Sequence, residues 1–311
     1  MWTGLNGGSL PGDNSNQFKI RHLSPLSTIV RPPRPMEQTI TPPKGLVRIN
    51  WVELWQFRDL FLVLAWRDIS VRYKQTALGA AWAILQPVAT MVIFTFIFNR
   101  MAGIQSGDGT PYPVFLCVGQ LLWQYFSGTL TNASQALVAN AGLVQKVYFP
   151  RLILPATSVT TGLVDLAIAS LVLVGMMIWY GVTPGWIGLL SLPLLILTAV
   201  LSALGMGLFL AAVNVKYRDV RYALPFVINI MMYVTPVIYP LAMLDRHPVA
   251  KTLMTWLNPI AGVISNARAG LLGHSPFQWD ILVISLLMSG IYLALGLAYF
   301  RTTERYFADI A

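Results

Sequence analysis

Charge is scarce in this sequence. Only 11% of its 311 residues are Asp, Glu, Lys or Arg, whereas 56% are hydrophobic. A soluble globular domain carries about 25% charged residues, so a core in water cannot absorb this much apolar surface. The shortage excludes an ordinary soluble domain and predicts a membrane protein.

Cysteine and the common catalytic motifs are also nearly absent. Cys117 is the single cysteine, which excludes an intrachain disulfide framework and a cysteine-rich metal site. The chain has no G-x-x-x-x-G-K-[ST] phosphate loop and no H-E-x-x-H zinc motif. Its histidines are scattered, and the apolar runs supply no Ser/His/Asp set. We therefore expect neither a nucleotide site nor an intramembrane active site.

Long uncharged runs are what the sequence does contain. A helix that crosses a bilayer needs roughly 20 apolar residues. The run from Arg151 to Lys216 holds one charge, Asp165, and is long enough for two helices separated at Gly181, Pro184 and Gly185. The predicted spans are about 78–98, 113–136, 152–179, 186–213, 223–241 and 280–300.

The distribution of basic residues predicts the orientation. With the N-terminus inside, the inside segments hold 17 Lys and Arg and the outside segments hold 4. Without residues 1–77 the ratio is still 7 to 4. Both termini are therefore predicted to be cytoplasmic. The net charge is +9, and the basic residues that produce it flank the apolar runs. This placement indicates orientation in a bilayer rather than binding to nucleic acid.

The parts outside the spans define two further segments at the N-terminus. Residues 1–49 contain seven prolines and are predicted to be a disordered, Pro-rich cytoplasmic extension. Residues 50–76 combine tryptophans and arginines at helical spacing, and Asn50 and Glu53 have the spacing of a capping box. We expect an amphipathic helix in the headgroup layer, with a helix packed on cytoplasmic protein as the alternative. Residues 77–311 are the transmembrane domain.

The outside segment 242–279 is apolar with few charges and is interrupted at Asn258-Pro259. It predicts two short helices that re-enter the outer leaflet before the last span, or a pair of surface helices. The fold class is thus an all-α membrane protein with six transmembrane helices, an N-terminal interface helix and a re-entrant pair. Ala203, Gly207 and Ala211 form a small-residue stripe that predicts a close helix contact.

Asp165 is the clearly intramembrane charge. A carboxylate at that depth is expensive and is rarely without a role. Two interpretations stay open: contact with a moving substrate or a gate residue, and a structural partner for a hydroxyl or backbone group.

Four segments resemble the ABC-2-type polysaccharide export permeases. They are "WRDISVRYKQTALGAAWAILQP", "NAGLVQKVYFPRLILP", "NVKYRDVRYALPFVINIMMYVTPVIYP" and "LNPIAGVISNARAGLLG", in family order across about 50–311. The resemblance implies the transmembrane subunit of an O-antigen, capsule or teichoic-acid exporter in a bacterial cytoplasmic membrane. It implies a homodimer with two copies of a separate ATPase, which bind ATP and Mg²⁺, so this chain itself binds no cofactor. The implied cargo is a lipid-pyrophosphate-linked glycan.

We assign candidate roles to several sets of residues. The positively charged set at the inner mouth, expected to receive the lipid pyrophosphate or else to bind anionic headgroups, is Arg67, Arg72 and Lys74. The aromatic candidates for lining a glycan path are Phe94, Phe98, Tyr125, Tyr233 and Tyr239. The candidates for contact with the ATPase are Asn140, Gln145, Lys146, Tyr148 and Arg151. The candidates for an outer gate are Asn258, Pro259 and Arg268, with the arginine near the headgroups.

The spacing of Asp68 and Arg72 predicts an i, i+4 ion pair when no cargo is bound. Two other functions remain as alternatives to glycan export. One is an ABC-2 permease for a lipid or a drug, and the other is an intramembrane glycan-transfer enzyme. An ion-coupled carrier is disfavoured because it would need more intramembrane charge.

Overall fold

The computed structural model describes residues 51–74, 81–217 and 219–304. Helices form nearly all of this part, and it contains no β-strand. The helices are α1 Trp51–Gln56, α2 Arg58–Lys74, α3 Ala81–Phe94, α4 Tyr112–Ala139, α5 Ala141–Lys146, α6 Ile153–Tyr180, α7 Trp186–Lys216, α8 Val220–Val234, α9 Pro248–Leu257, α10 Pro259–Leu272 and α11 Trp279–Thr303. A π-helical segment, Thr95–Met101, continues α3, and a 3₁₀ helix, Leu241–Arg246, precedes α9.

Within the described residues, four helical stretches are long and apolar enough to cross a membrane. They are Ala81–Met101, Ile153–Tyr180, Trp186–Lys216 and Trp279–Thr303, and they correspond to the first, third, fourth and sixth predicted spans. Helix α4 has 28 residues, but amides and hydroxyls make it less apolar. These helices define a multi-pass membrane protein.

The fifth predicted span, 223–241, is wrong at its C-terminal end. Helix α8 ends at Val234 after 15 residues, and Thr235 has an extended backbone with ψ 141°. Pro236 explains this end, because the residue before a proline is forced out of the helical region. Residues 235–240 therefore leave the helix and expose backbone carbonyls that need other partners.

The N-terminal helical region is divided where one helix was predicted. Helices α1 and α2 are separated at Phe57. Trp51, Trp55 and Trp66 are exposed on them. Residues 1–50 and 75–80 lie outside the described residues, and so do the predicted extension and the cap at Asn50.

The helices that follow pack around α4 and α7. Gly205 of α7 lies so close to α11 that a Cβ there would meet the Leu293 backbone nitrogen at 2.5 Å. The predicted small-residue stripe also makes a close contact, since a Cβ on Gly207 would lie 2.7 Å from the Ala133 Cβ of α4. The predicted break at Asn258 is confirmed, because α9 ends at Leu257 and α10 begins at Pro259.

The connecting segments gather at two ends of the helices. At one end an apolar cluster joins Leu64 of α2, Phe149 before α6, Leu208 of α7 and Phe300 of α11. At the other end the Tyr112 hydroxyl at the start of α4 donates to the Ile238 carbonyl at 2.8 Å. The first end carries the segments predicted to be inside, and the second carries those predicted to be outside.

Candidate functional site

A cavity of about 490 Å³ lies between the end of α2 and helices α3, α4 and α6. Its size is within the range of about 300–1,000 Å³ that small-molecule sites occupy. It extends along α4 from Leu121 to Asn132, which is about 16 Å at 1.5 Å per residue. The lining residues are Arg72, Tyr73, Trp82, Ala83, Gln86, Pro87, Leu121, Gln124, Tyr125, Ser127, Gly128, Thr129, Asn132, Gly162, Asp165, Leu166 and Ala169.

Polar contacts hold α2 against α6 at one side of this cavity. Arg72 forms an ion pair with Asp165, and the Tyr73 hydroxyl donates to the same carboxylate. Burial, and secondarily the hydrogen bond to Asp165, raises the pKa of the Tyr73 phenol, so it remains a donor. Further back along α2, the Thr157 hydroxyl donates to the Asp68 carboxylate at 3.2 Å.

The expected i, i+4 pair between Asp68 and Arg72 is therefore wrong. Asp68 instead accepts from the adjacent Arg67 at 2.8 Å, while Arg72 reaches the carboxylate on α6. Asp165, which is predicted to lie within the membrane, thus pairs with a residue of the predicted inner mouth. Asp68 already pairs with Arg67 and accepts from the Thr157 hydroxyl, and Arg72 pairs with the carboxylate of Asp165 on α6 instead.

The three predicted cations of the inner mouth do not converge. Arg72 lines the cavity. Arg67 also donates to the Asn140 side chain, at 3.0 Å, next to the start of α5. Lys74 is exposed and lies over the Trp66 ring, 5.9 Å from its centroid.

Uncharged polar groups supply much of the cavity wall, and of these the sequence interpretation included only Tyr125, as an aromatic residue. Gln124, Gly128 and Asn132 follow one another at i, i+4 and i+8 on one face of α4. The Tyr125 and Thr129 hydroxyls are buried one turn apart on α4, and Thr129 is a hydrogen-bonding neighbour of Tyr125. The signal that could have found them is this periodic row of amides and hydroxyls within an uncharged run.

The predicted aromatic residues are dispersed. Tyr125 lines the cavity, and Tyr233 is exposed on α8. Phe94 and Phe98 stack edge to face, with ring centroids 5.5 Å apart, and pack partly buried against the core. Tyr239 is partly buried and donates to the Val234 carbonyl.

The segment predicted to contact an ATPase contains the short helix α5. Gln145, Lys146 and Tyr148 are exposed there. The Tyr148 hydroxyl donates to the Glu53 carboxylate of α1 at 3.3 Å. Arg151 donates to the Glu304 carbonyl after α11. The exposed side chains thus belong to a segment that is hydrogen-bonded both to α1 and to the residue that follows α11.

The predicted gate residues surround the non-helical segment after α8. The Asn258 side chain donates to the Thr235 hydroxyl at 2.7 Å. Arg268 donates to the carbonyls of Pro236 at 2.7 Å, Tyr239 at 3.3 Å and Phe115 at 3.0 Å, and also to that of Val237. We call Asn258, Pro259 and Arg268 with residues 235–239 the outer clasp.

The prediction that Arg268 lies near the headgroups is wrong. Its side chain is buried, with 5% exposure, and its guanidinium stacks on the Phe115 ring, 3.6 Å from the centroid. Gly119 of α4 makes room for it, because a Cβ there would overlap the guanidinium. The residue is needed inside because the carbonyls freed at the end of α8 require donors.

Comparison with known proteins identifies the family to which this arrangement of helices belongs. The model of the ABC-2 type transporter family matches residues 59–272, well over half of the chain. This protein therefore belongs to the ABC-2 type transporter family.

Curated relatives match over a still longer range. The O-antigen export system permease protein RfbA of Klebsiella pneumoniae is 28% identical over 255 residues, covering 81% of this chain and 95% of that protein. RfbA of Myxococcus xanthus is 28% identical over 257 residues, covering 83% and 97%. The polysialic acid transport protein KpsM of Escherichia coli is 25% identical over 244 residues, covering 76% and 91%.

Proposed function

We propose that this chain is the permease subunit of an ABC transporter that exports a lipid-linked polysaccharide across the bacterial cytoplasmic membrane. The observation that carries the proposal is the similarity to export permeases over 91–97% of their length. ATP and Mg²⁺ would bind to a separate ATPase, and this chain would bind no cofactor of its own.

The proposed topology has six spans with both termini in the cytoplasm. Besides the charge distribution, exposed tryptophans support it. Trp179 near the end of α6, Trp186 at the start of α7 and Trp279 at the start of α11 are all exposed. This topology places all three at the outer surface, where tryptophans are enriched. Helices α1 and α2 would lie in the inner headgroup layer, and α9 and α10 would re-enter from outside.

The proposed assembly is a homodimer that binds two ATPase subunits. Helix α3 with its π-helical continuation and helix α8 expose large apolar side chains, including Val92, Phe96, Tyr222 and Phe226. Such faces suit either lipid or a second copy of the chain, and the dimer is what the family implies. The ATPase would contact the exposed surface of α5.

Arg72 is the proposed first contact of the lipid pyrophosphate, because an arginine binds phosphate oxygens in a bidentate manner. Replacing Arg72 with Lys should reduce glycan export while membrane insertion and basal ATP hydrolysis persist. Unchanged export would assign Arg72 to anchoring by anionic lipids.

The experiment that tests the function is reconstitution with the ATPase in proteoliposomes. A lipid-linked glycan should stimulate ATP hydrolysis and appear on the far side of the membrane. A permease for a lipid or a drug would instead respond to that compound without a glycan, and a glycan-transfer enzyme would change the bonds of the glycan without ATP. Failure of any lipid-linked glycan to stimulate hydrolysis by an intact complex would contradict the proposal.

A further inference from the structure

The cavity between α2, α3, α4 and α6 has the wall chemistry of a carbohydrate site. Gln86, Gln124 and Asn132 provide carboxamides, which both donate and accept hydrogen bonds. Trp82, which is exposed, provides a ring on which a sugar face can stack. Gln124 and Asn132 are half-buried, and an acyl chain in the cavity would offer their amides no hydrogen bond.

Two hydroxyls lie behind the amides of this wall. Tyr125 and Thr129 are 3% and 1% exposed, and their hydroxyls neighbour each other one turn apart on α4. Because both oxygens are buried, the amides rather than these hydroxyls are the groups that an occupant meets. Gly162 keeps this wall tight, since a Cβ there would meet the Tyr125 ring at 3.1 Å and overlap the Thr129 hydroxyl.

The charges at the cavity occur as a pair. Arg72 and Asp165 both line it and bind each other. With 39% and 31% of their side chains exposed, both remain accessible to a ligand. An anionic group that binds Arg72 must displace Asp165. The ion pair therefore lowers the affinity of Arg72 for anions.

We propose that this cavity binds the first one or two sugar residues of a lipid diphosphate-linked glycan, with the diphosphate on Arg72 in place of Asp165. The proposal rests on the proposed export function and adds a saccharide site within each protomer. It makes two distinct demands on the ligand. The sugar hydroxyls must satisfy the amides of α4, and the diphosphate must displace one ion-pair partner.

The test measures binding to the permease–ATPase complex in nanodiscs of zwitterionic lipid. The probe is a disaccharide joined through a diphosphate to a farnesyl chain, and the comparison probe is farnesyl diphosphate. The wild-type complex should bind the disaccharide probe about 10-fold more tightly, because several hydrogen bonds depend on the sugar.

Filling the cavity should remove the advantage of the sugar. Gly128 lines the cavity and has open space where a Cβ would stand, so Gly128→Leu adds bulk there. In this variant both probes should bind equally. Gly175→Leu is the matched control, because Gly175 on α6 also has open space but does not line the cavity. It should keep the 10-fold difference.

Amide removal and charge removal provide independent arms. Gln124→Ala and Asn132→Ala should weaken the disaccharide probe about 5-fold and leave farnesyl diphosphate unchanged. Gln135→Ala, an amide of α4 outside the cavity wall, should have no effect. Asp165→Asn should tighten both probes, because it releases Arg72; a purely structural carboxylate would give weaker binding instead.

Other outcomes overturn the inference in identifiable ways. Wild-type-like sugar preference in Gly128→Leu would place the saccharide elsewhere. Equal binding of both probes to the wild-type complex would leave a phosphate site alone. Displacement of both probes by phosphatidylglycerol, with no effect of the α4 variants, would identify a lipid headgroup site. If the wild type binds the disaccharide probe but a lipid-linked glycan never stimulates ATP hydrolysis, the proposed function fails and the saccharide site stands.

Discussion

Arg268 places a positive charge in the interior of the protein. Backbone carbonyls of residues far away in sequence accept the hydrogen bonds of its guanidinium. Its guanidinium donates to the carbonyls of Phe115, Pro236 and Tyr239 with a geometry that depends on a planar, forked donor. Lysine has a single nitrogen and cannot reach these carbonyls at once. The residue therefore positions the non-helical segment after α8 rather than anchoring the protein to headgroups.

Replacing Arg268 with Lys should destabilise the protein by about 2–3 kcal/mol, because buried carbonyls lose their donors. The measurement is the thermal unfolding midpoint of the detergent-solubilised protein. Arg246→Lys is the control, since Arg246 is exposed in the 3₁₀ helix. Equal midpoints for the two variants would contradict the role of Arg268 in the outer clasp.

Partners of single residues were the least predictable feature. Asp165 stands out in the sequence as a charge within a long apolar run, but its partner Arg72 lies 93 residues earlier. Only the local i, i+4 neighbour, Asp68, is visible without a fold, and this neighbour was the wrong choice. The prediction included Tyr125 but not the amides Gln124 and Asn132 of the same cavity wall, because the sequence shows a polar face of α4 without showing which helices it faces.

At the level of helices, hydropathy and charge predict the long elements well. Helix α6 occupies Ile153–Tyr180 where 152–179 was expected. The prediction fails at α8, because the apolar composition continues past Val234 while Pro236 ends the helix. An uncharged run reports which solvent the chain prefers, whereas backbone geometry decides where a helix stops.

Glycines set the distance between α7 and α11. A Cβ on Gly296 would overlap the Gly205 carbonyl, so Gly296→Ala must separate the two helices. We expect a loss of about 1–3 kcal/mol, the usual cost of overpacking. Gly290→Ala on the same helix meets open space and should be close to neutral. Thermal unfolding compares the two variants, and the same midpoint for both would contradict the close crossing.

For the whole molecule, the described contacts separate the connecting segments into two groups at opposite ends. This separation agrees with the predicted alternation of inside and outside segments, but it does not choose which end is cytoplasmic. That choice depends on the distribution of Lys and Arg.

Cysteine labelling of intact cells tests the orientation in a Cys117→Ser background. A membrane-impermeant maleimide should label Val249→Cys, which is exposed on α9, and should not label Thr302→Cys near the end of α11. Permeabilised cells provide the control, because both positions should then react. External labelling at residue 302 alone would invert the proposed topology.

The exposed surface of α5 should contact the ATPase and transmit its conformational change to the permease. Gln145 and Lys146 are exposed on this six-residue helix. At its start, Asn140 accepts a hydrogen bond from Arg67 of α2, so a displacement of α5 would reach the helix that carries Arg72. A photocrosslinker at residue 145 or 146 should therefore capture the ATPase, whereas one at Val249 on the outer end should not.

Asn140→Ala should retain the crosslink but reduce glycan-stimulated ATP hydrolysis, because α5 still docks while the hydrogen bond from Arg67 of α2 to residue 140 is lost. An assembled complex with no crosslink at either α5 position would place the contact on another segment.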